Sequence, residues 1–155
     1  MKTRWMVTAA AAALLLRGTL AHAHEVKLED LPAGPIRDRH ALMEGIGKNA
    51  KVIGDAMKSN DFSPVAAAAE KIQADAAKIT ALFPPGSTHE KSRAKPEIWT
   101  DWAKFEEGSK ELGLKAGAVA AAAKSNSDVP AAAKAMFGSC KSCHEQFRVP
   151  DKDEK

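Results

Sequence analysis

Tyrosine is absent from this 155-residue chain, cysteine occurs only twice, and runs of β-branched residues are missing. Two cysteines are too few for a structural zinc site, which usually takes four ligands and often two cysteine pairs. Without β-branched runs there is no strand-rich region, and so no βαβ setting for a thioredoxin-like redox pair. Alanine, lysine and glutamate are abundant instead, and composition and pattern together give an all-α chain. No internal repeat, low-complexity domain or second domain is found.

A surplus of one charge is also lacking. Lysine and arginine number 23, aspartate and glutamate 20. Lys2, Arg4 and Arg17 all fall within the first 23 residues, which hold no acid, so the remainder carries 20 of each sign. Such a balance does not point to nucleic acid as a partner. Nor is there a run suited to spanning a membrane: Val7 to Leu16 is apolar but too short, and Arg17-Gly18 ends it. With Lys2 and Arg4 before it and the small-x-small site Ala21-His22-Ala23 after it, residues 1–23 read as a cleaved secretory signal peptide. The mature chain is expected to start at His24, to be exported to a bacterial periplasm and to have no membrane insertion after cleavage. Residues 24–155 are enough for one domain with a core.

The two cysteines stand in Cys140-Lys141-Ser142-Cys143-His144, which reads C-x-x-C-H, the attachment motif of c-type haem. On a helix, residues three apart lie one above the other on one face. Thiols so placed reach the two vinyl groups on one porphyrin edge and close two thioether bonds. The following residue, His144, then lies under the iron as an axial ligand. A plain disulfide between Cys140 and Cys143 would leave His144 without a role. Covalent attachment of haem takes place outside the cytoplasm, so the signal segment and the motif support each other. One haem c is therefore expected, held by Cys140 and Cys143 with iron on His144.

Four amphipathic helices account for the rest. The first is predicted from Pro35 to Lys58, with Ile36, Met43, Ile46, Ala50, Ile53 and Met57 on its apolar stripe and Gly47 and Gly54 on the same face. The second starts at Ser63-Pro64 and runs to Phe83, where Pro84-Pro85-Gly86 stops it. A polar loop from Pro84 to Lys95 holds His89, which is given no role. The third helix opens near Pro96-Glu97 and carries Ile98, Trp102, Phe105, Leu112, Ala116, Val119 and Ala123 inward. Trp99 and Trp102 are candidates for a cofactor wall or ordinary core aromatics. The fourth runs from Val129 to Phe147, with Ala133, Met136, Cys140, Cys143 and Phe147 inward and Pro150 beyond its end. Short connections and near-heptad stripes predict an antiparallel, left-handed four-helix bundle with one covalent haem. The alanine runs Ala66 to Ala69 and Ala120 to Ala123 allow close helix approach and leave volume for a flat cofactor. The tail Asp151 to Lys155 is expected to fray.

These residues resemble the class II c-type cytochromes, the cytochrome c′ family. The motif extends through Glu145-Gln146-Phe147-Arg148, and Lys95-Pro96-Glu97-Ile98-Trp99 resembles the family's third-helix opening. The resemblance implies exported bacterial bundles in two branches. In one, the sixth iron position is empty, crowded by an apolar residue, and open to nitric oxide or carbon monoxide. In the other, a methionine on the first helix fills it, and the protein is a low-spin one-electron carrier. Leu42-Met43-Glu44-Gly45-Ile46-Gly47-Lys48-Asn49 resembles the second branch, which would make Met43 the sixth ligand. The stripe agrees, with Met43 inward and Gly47 one turn away to clear a ring. A core methionine filling a gap and His40 as a rival ligand stay open. The expectation is a His144/Met43-ligated electron carrier with redox proteins as partners, and not an enzyme. The alternative is a high-spin gas-binding protein. Family members often pair through their first two helices, so a homodimer is an option.

Overall fold

The computed structural model describes residues 26–150; the predicted signal peptide at 1–23 and the tail Asp151 to Lys155 lie outside them. Helix α1 is Pro35–Ser59. Pro35 takes a first-turn position, where its missing N–H has no helical partner to lose. Asn60 closes the helix in the left-handed conformation, with φ 54°. Ile46, Ile53 and Ala56 form the buried line of α1, whereas Ile36, Met43, Ala50 and Met57 are half-buried. Gly47, expected on the inward face, is exposed.

Helix α2 is Val65–Ala76, shorter than the predicted run to Phe83. The α-ladder gives way where Lys78 N–H donates to the Asp75 carbonyl at 3.0 Å and Ile79 N–H to that of Ala76 at 3.2 Å. A 3-10 turn, Thr80–Leu82, follows. The Ser109 hydroxyl also donates to the Ala76 carbonyl, at 2.8 Å, and so pairs a group that the helix end leaves without an α-helical partner. The predicted inward residues Val65, Ala68, Ile72, Ala76, Ile79 and Phe83 are all buried despite the change of helix type.

The third predicted helix is two: α3, Glu97–Thr100, and α4, Trp102–Ser125. Asp101 between them leaves helical geometry, with φ −114° and ψ 42°. The Trp99 indole N–H lies 3.1 Å from each of the Phe83 and Pro84 carbonyls and so ties α3 to the chain leaving α2. Trp102, expected inward, is 37% exposed beyond this break, while Phe105, Leu112, Ala116 and Val119 stay buried. Helix α5 is Val129–Phe147, as predicted; the Asp128 carboxylate accepts from Ala131 N–H at 2.9 Å as its N-cap.

The long helices α1, α2, α4 and α5 form a four-helix bundle. Among the described residues there is no strand, only an isolated bridge between Ala94 and Arg148. Helix α2 packs closely on α4: a Cβ added at Gly117 would come within 2.8 Å of Gln73 Nε2. Ile53, Ile72, Val119 and Met136 are fully buried between the helices, and burial of each such side chain contributes roughly 1.5–3 kcal/mol. Helices α1 and α5 touch at few points, and this loose seam is where the site lies. No helix among the described residues is long and apolar enough to cross a membrane.

Candidate haem site

The last two turns of α5 carry Cys140, Cys143 and His144. Both cysteines are free and half-buried, and His144 is exposed. The Cys143 thiol leans on α4, where a Cβ added at Gly108 would lie 3.6 Å from its Sγ. Burial, reinforced by the neighbouring Cys140 and Glu111, pushes the Cys143 thiol up to about 11; burial also raises Cys140. Both are therefore protonated at neutral pH in the unattached chain.

Cys143 and His144 open onto a cavity of about 350 Å³ between α5 and α1, within the usual range for small-molecule sites. Ile36, His40 and Met43 of α1 form the facing wall. Phe83, Ile98 and Phe105 line its inner side. The Phe105 ring meets Phe83 and Phe147 edge-on, with centroids 4.8 and 5.4 Å apart. Residues Lys91 to Ala94 of the loop and Arg148 complete the rim. Neither Trp99 nor Trp102 lines this cavity, so the cofactor-wall reading of the tryptophans is not met.

Arg39, one helical turn before Met43, also lines the cavity and is only 4% exposed. Its guanidinium donates to Ser87 Oγ at 2.9 Å, to the Ser87 carbonyl at 2.8 Å and to Ser92 Oγ at 2.8 Å, and it stands 4.7 Å over the Phe83 ring. These acceptors are neutral, and burial holds its pKa below the usual guanidinium range. Glu44, a carboxylate on the same wall, pairs with Lys48 at 2.6 Å. A buried cation with neutral partners lacks a counter-charge. The arrangement fits a haem: apolar and aromatic walls for a flat ring, the Cys143 thiol and the His144 imidazole on one side, and a buried cation for a carboxylate; Cys140, one turn earlier on α5, does not itself line the cavity. Sequence reasoning missed Arg39; its only signal was an arginine four residues before Met43 on the apolar stripe. Among the described residues, no cluster of three or more His, Cys, Asp or Glu side chains could hold a bare metal ion.

A family model described as Cytochrome C′ matches residues 34–148. A cytochrome c′ from Rhodopseudomonas palustris is 33% identical over 118 residues, 74% of this chain and 81% of its own length. The solved cytochrome c′ from Thermochromatium tepidum has a TM-score of 0.70 at 29% identity, over 75% of this chain and 95% of that one. A nitric oxide complex of a cytochrome c prime variant from Alcaligenes xylosoxidans has a TM-score of 0.67 at 25% identity, over 81% and 98%. Proteins of this family carry covalently attached haem c, and the haem c expected from C-x-x-C-H is the cofactor of this chain.

The same comparisons overturn the expectation of a low-spin, His144/Met43-ligated electron carrier. Cytochromes c′ are typically high-spin and bind nitric oxide or carbon monoxide, and one of these structures is a nitric oxide complex. The stripe argument fails for a physical reason. Met43 is a half-buried wall of an open cavity rather than part of a close-packed line, and Gly47, meant to clear the ring, faces solvent.

Proposed function

The chain belongs to the cytochrome c′ family, and on that premise we propose that it is a periplasmic, high-spin haem protein, not an enzyme, that binds nitric oxide or carbon monoxide at an open sixth position. The observation that carries this reading is the cavity with Cys143 and His144 on one wall and Met43 on the other. Haem c, when attached, would supply an iron able to bind a diatomic gas. Cys140 and Cys143 would hold the ring by thioethers, and His144 would ligate the iron. Met43 and Ile36 give the facing wall an apolar surface that admits a small neutral gas and penalises charged ligands. Arg39 offers its buried guanidinium to a haem carboxylate, which supplies the counter-charge that its present partners lack.

In this proposal the chain works after removal of residues 1–23, with a redox protein docking near the exposed Lys141 face of α5 and two copies pairing through α1 and α2. Mass spectrometry of the mature protein is expected to give His24 as the first residue, and sedimentation to give a dimer. Absorption spectra of the oxidised and reduced holoprotein test the central claim. High-spin spectra in both states and ready carbon monoxide binding are expected. Low-spin spectra with carbon monoxide refused would overturn it. Met43→Ala is expected to keep the haem and the spin state while speeding carbon monoxide entry about tenfold, the effect of a barrier lowered by about 1.4 kcal/mol.

A further inference from the structure

A helix leaves its last four carbonyls without intrahelical partners. On α5 these belong to His144, Glu145, Gln146 and Phe147. Arg148 N–H turns back to the His144 carbonyl at 2.9 Å. Two of the remaining three are taken by one residue of the loop. Lys95 Nζ donates to the Glu145 carbonyl at 2.8 Å, and Lys95 N–H donates to the Phe147 carbonyl at 2.9 Å. Val149 N–H then donates to the Arg93 carbonyl at 2.8 Å, and Ala94 bridges Arg148. Lys95 has one group left, its carbonyl, which accepts from Ile98 N–H at 3.2 Å and starts α3. Ile98 is 2% exposed and lines the cavity. Pro96 restricts Lys95 to extended backbone, the conformation that such a clip requires.

The helix end held in this way is the turn that bears His144. Without the clip, a terminal turn facing solvent frays. The Lys95 ammonium also sits where the helix dipole is negative, one residue beyond the imidazole. We propose that Lys95 is the positioning residue for the axial histidine. Its two bonds fix the last turn of α5 and hence the imidazole, and its charge offsets the negative end of the helix that carries His144. This rests on the reading of His144 as the axial ligand.

The test uses the holoprotein with Lys95→Met and Lys95→Arg. Lys95→Met removes the Nζ bond and the charge but keeps the backbone bond, so covalent haem and helix content are expected to match the parent. Hydrogen exchange in the segment 145–150 should rise about tenfold, while residues 133–140 are unchanged. The electron paramagnetic resonance signature of the axial imidazole should shift, and the reduction potential should fall because a nearby cation is lost. Lys95→Arg should restore all three. Faster exchange with an unchanged signature and potential would reduce Lys95 to a structural cap and overturn the proposal, as would unchanged exchange or failure of arginine to rescue. If Lys95→Met does not accumulate, Lys95→Gln, which keeps a donor but loses the charge, is read by potential alone: it should fall while exchange stays near the parent's, and an unchanged potential overturns the proposal. His144→Ala separates the two readings. If the axial signature survives that change, the ligand assignment fails, whatever the exchange data give.

Discussion

Cys143 is where burial has its clearest chemical consequence. A thiol ordinarily near 9 is pushed up to about 11, first by burial and then by Cys140 and Glu111. A folded pKa raised above the unfolded one favours the protonated form in the fold. Its stabilising contribution is complete below pH 9 and is lost as pH rises through about 11. In haem-free chain, alkylation of Cys143 followed by mass spectrometry should therefore show a midpoint near 11; a midpoint near 9 would mean that water reaches the thiol. The attached protein has no thiol there and loses nothing over that window. Arg39 gives a second test at this scale. Arg39→Met should cost the holoprotein about 1.5–3 kcal/mol in urea unfolding, the range for hydrogen bonds to a charged group. Arg39→Lys should recover only part, since one ammonium cannot span Ser87 and Ser92 as the guanidinium fork does. The role of Arg39 was illegible in the sequence because its partners lie 48 and 53 residues away in a loop that shows no periodicity. Cys140, Cys143 and His144 could be proposed from the sequence because their chemistry depends on spacing within one turn.

Helix α5 shows what local signals can decide. Asp128 caps it, Pro130 occupies its first turn and Pro150 lies beyond its end, so both boundaries could be read from neighbouring residues. Asp128→Ala should lower stability by about 1 kcal/mol, measured by thermal or urea unfolding, because the Ala131 N–H loses its acceptor. The ends of α2 and α3 followed different causes. The Ser109 hydroxyl on the Ala76 carbonyl and the Trp99 indole on the Phe83 and Pro84 carbonyls join segments far apart in the chain. Helical periodicity places Ile79 and Phe83 on the right face without revealing that the ladder tightens before them. The same limit governs α1. The stripe shows that Met43 and Ile46 share a face, but not that α5 stands off from the Met43 end, so that Ile46 is buried and Met43 is only half-covered.

For the molecule as a whole, that standoff decides both stability and function. Helices α2 and α4 close on each other through alanine and glycine, while the α1–α5 seam holds a cavity of about 350 Å³. The bundle was legible in the sequence because each helix carries its own apolar stripe. The state of the sixth position was not, because it depends on the width of a seam between residues a hundred positions apart. A seam of this kind makes the bundle dependent on its cofactor. The ring would fill this seam, and an unfilled apolar gap is destabilising in proportion to its size. Replacing both Cys140 and Cys143 with alanine removes the covalent tether while leaving His144, Arg39 and every helix cap intact. Acidic organic solvent should then extract the haem, which it cannot do from the parent, and the extracted protein should melt at a lower temperature by circular dichroism, with a stability loss of several kcal/mol. Haem retained after extraction from the double variant would rule out attachment through these two thiols. An unchanged melting temperature after its removal would show that the seam closes on its own, and the cavity would then not be the haem's place in the fold.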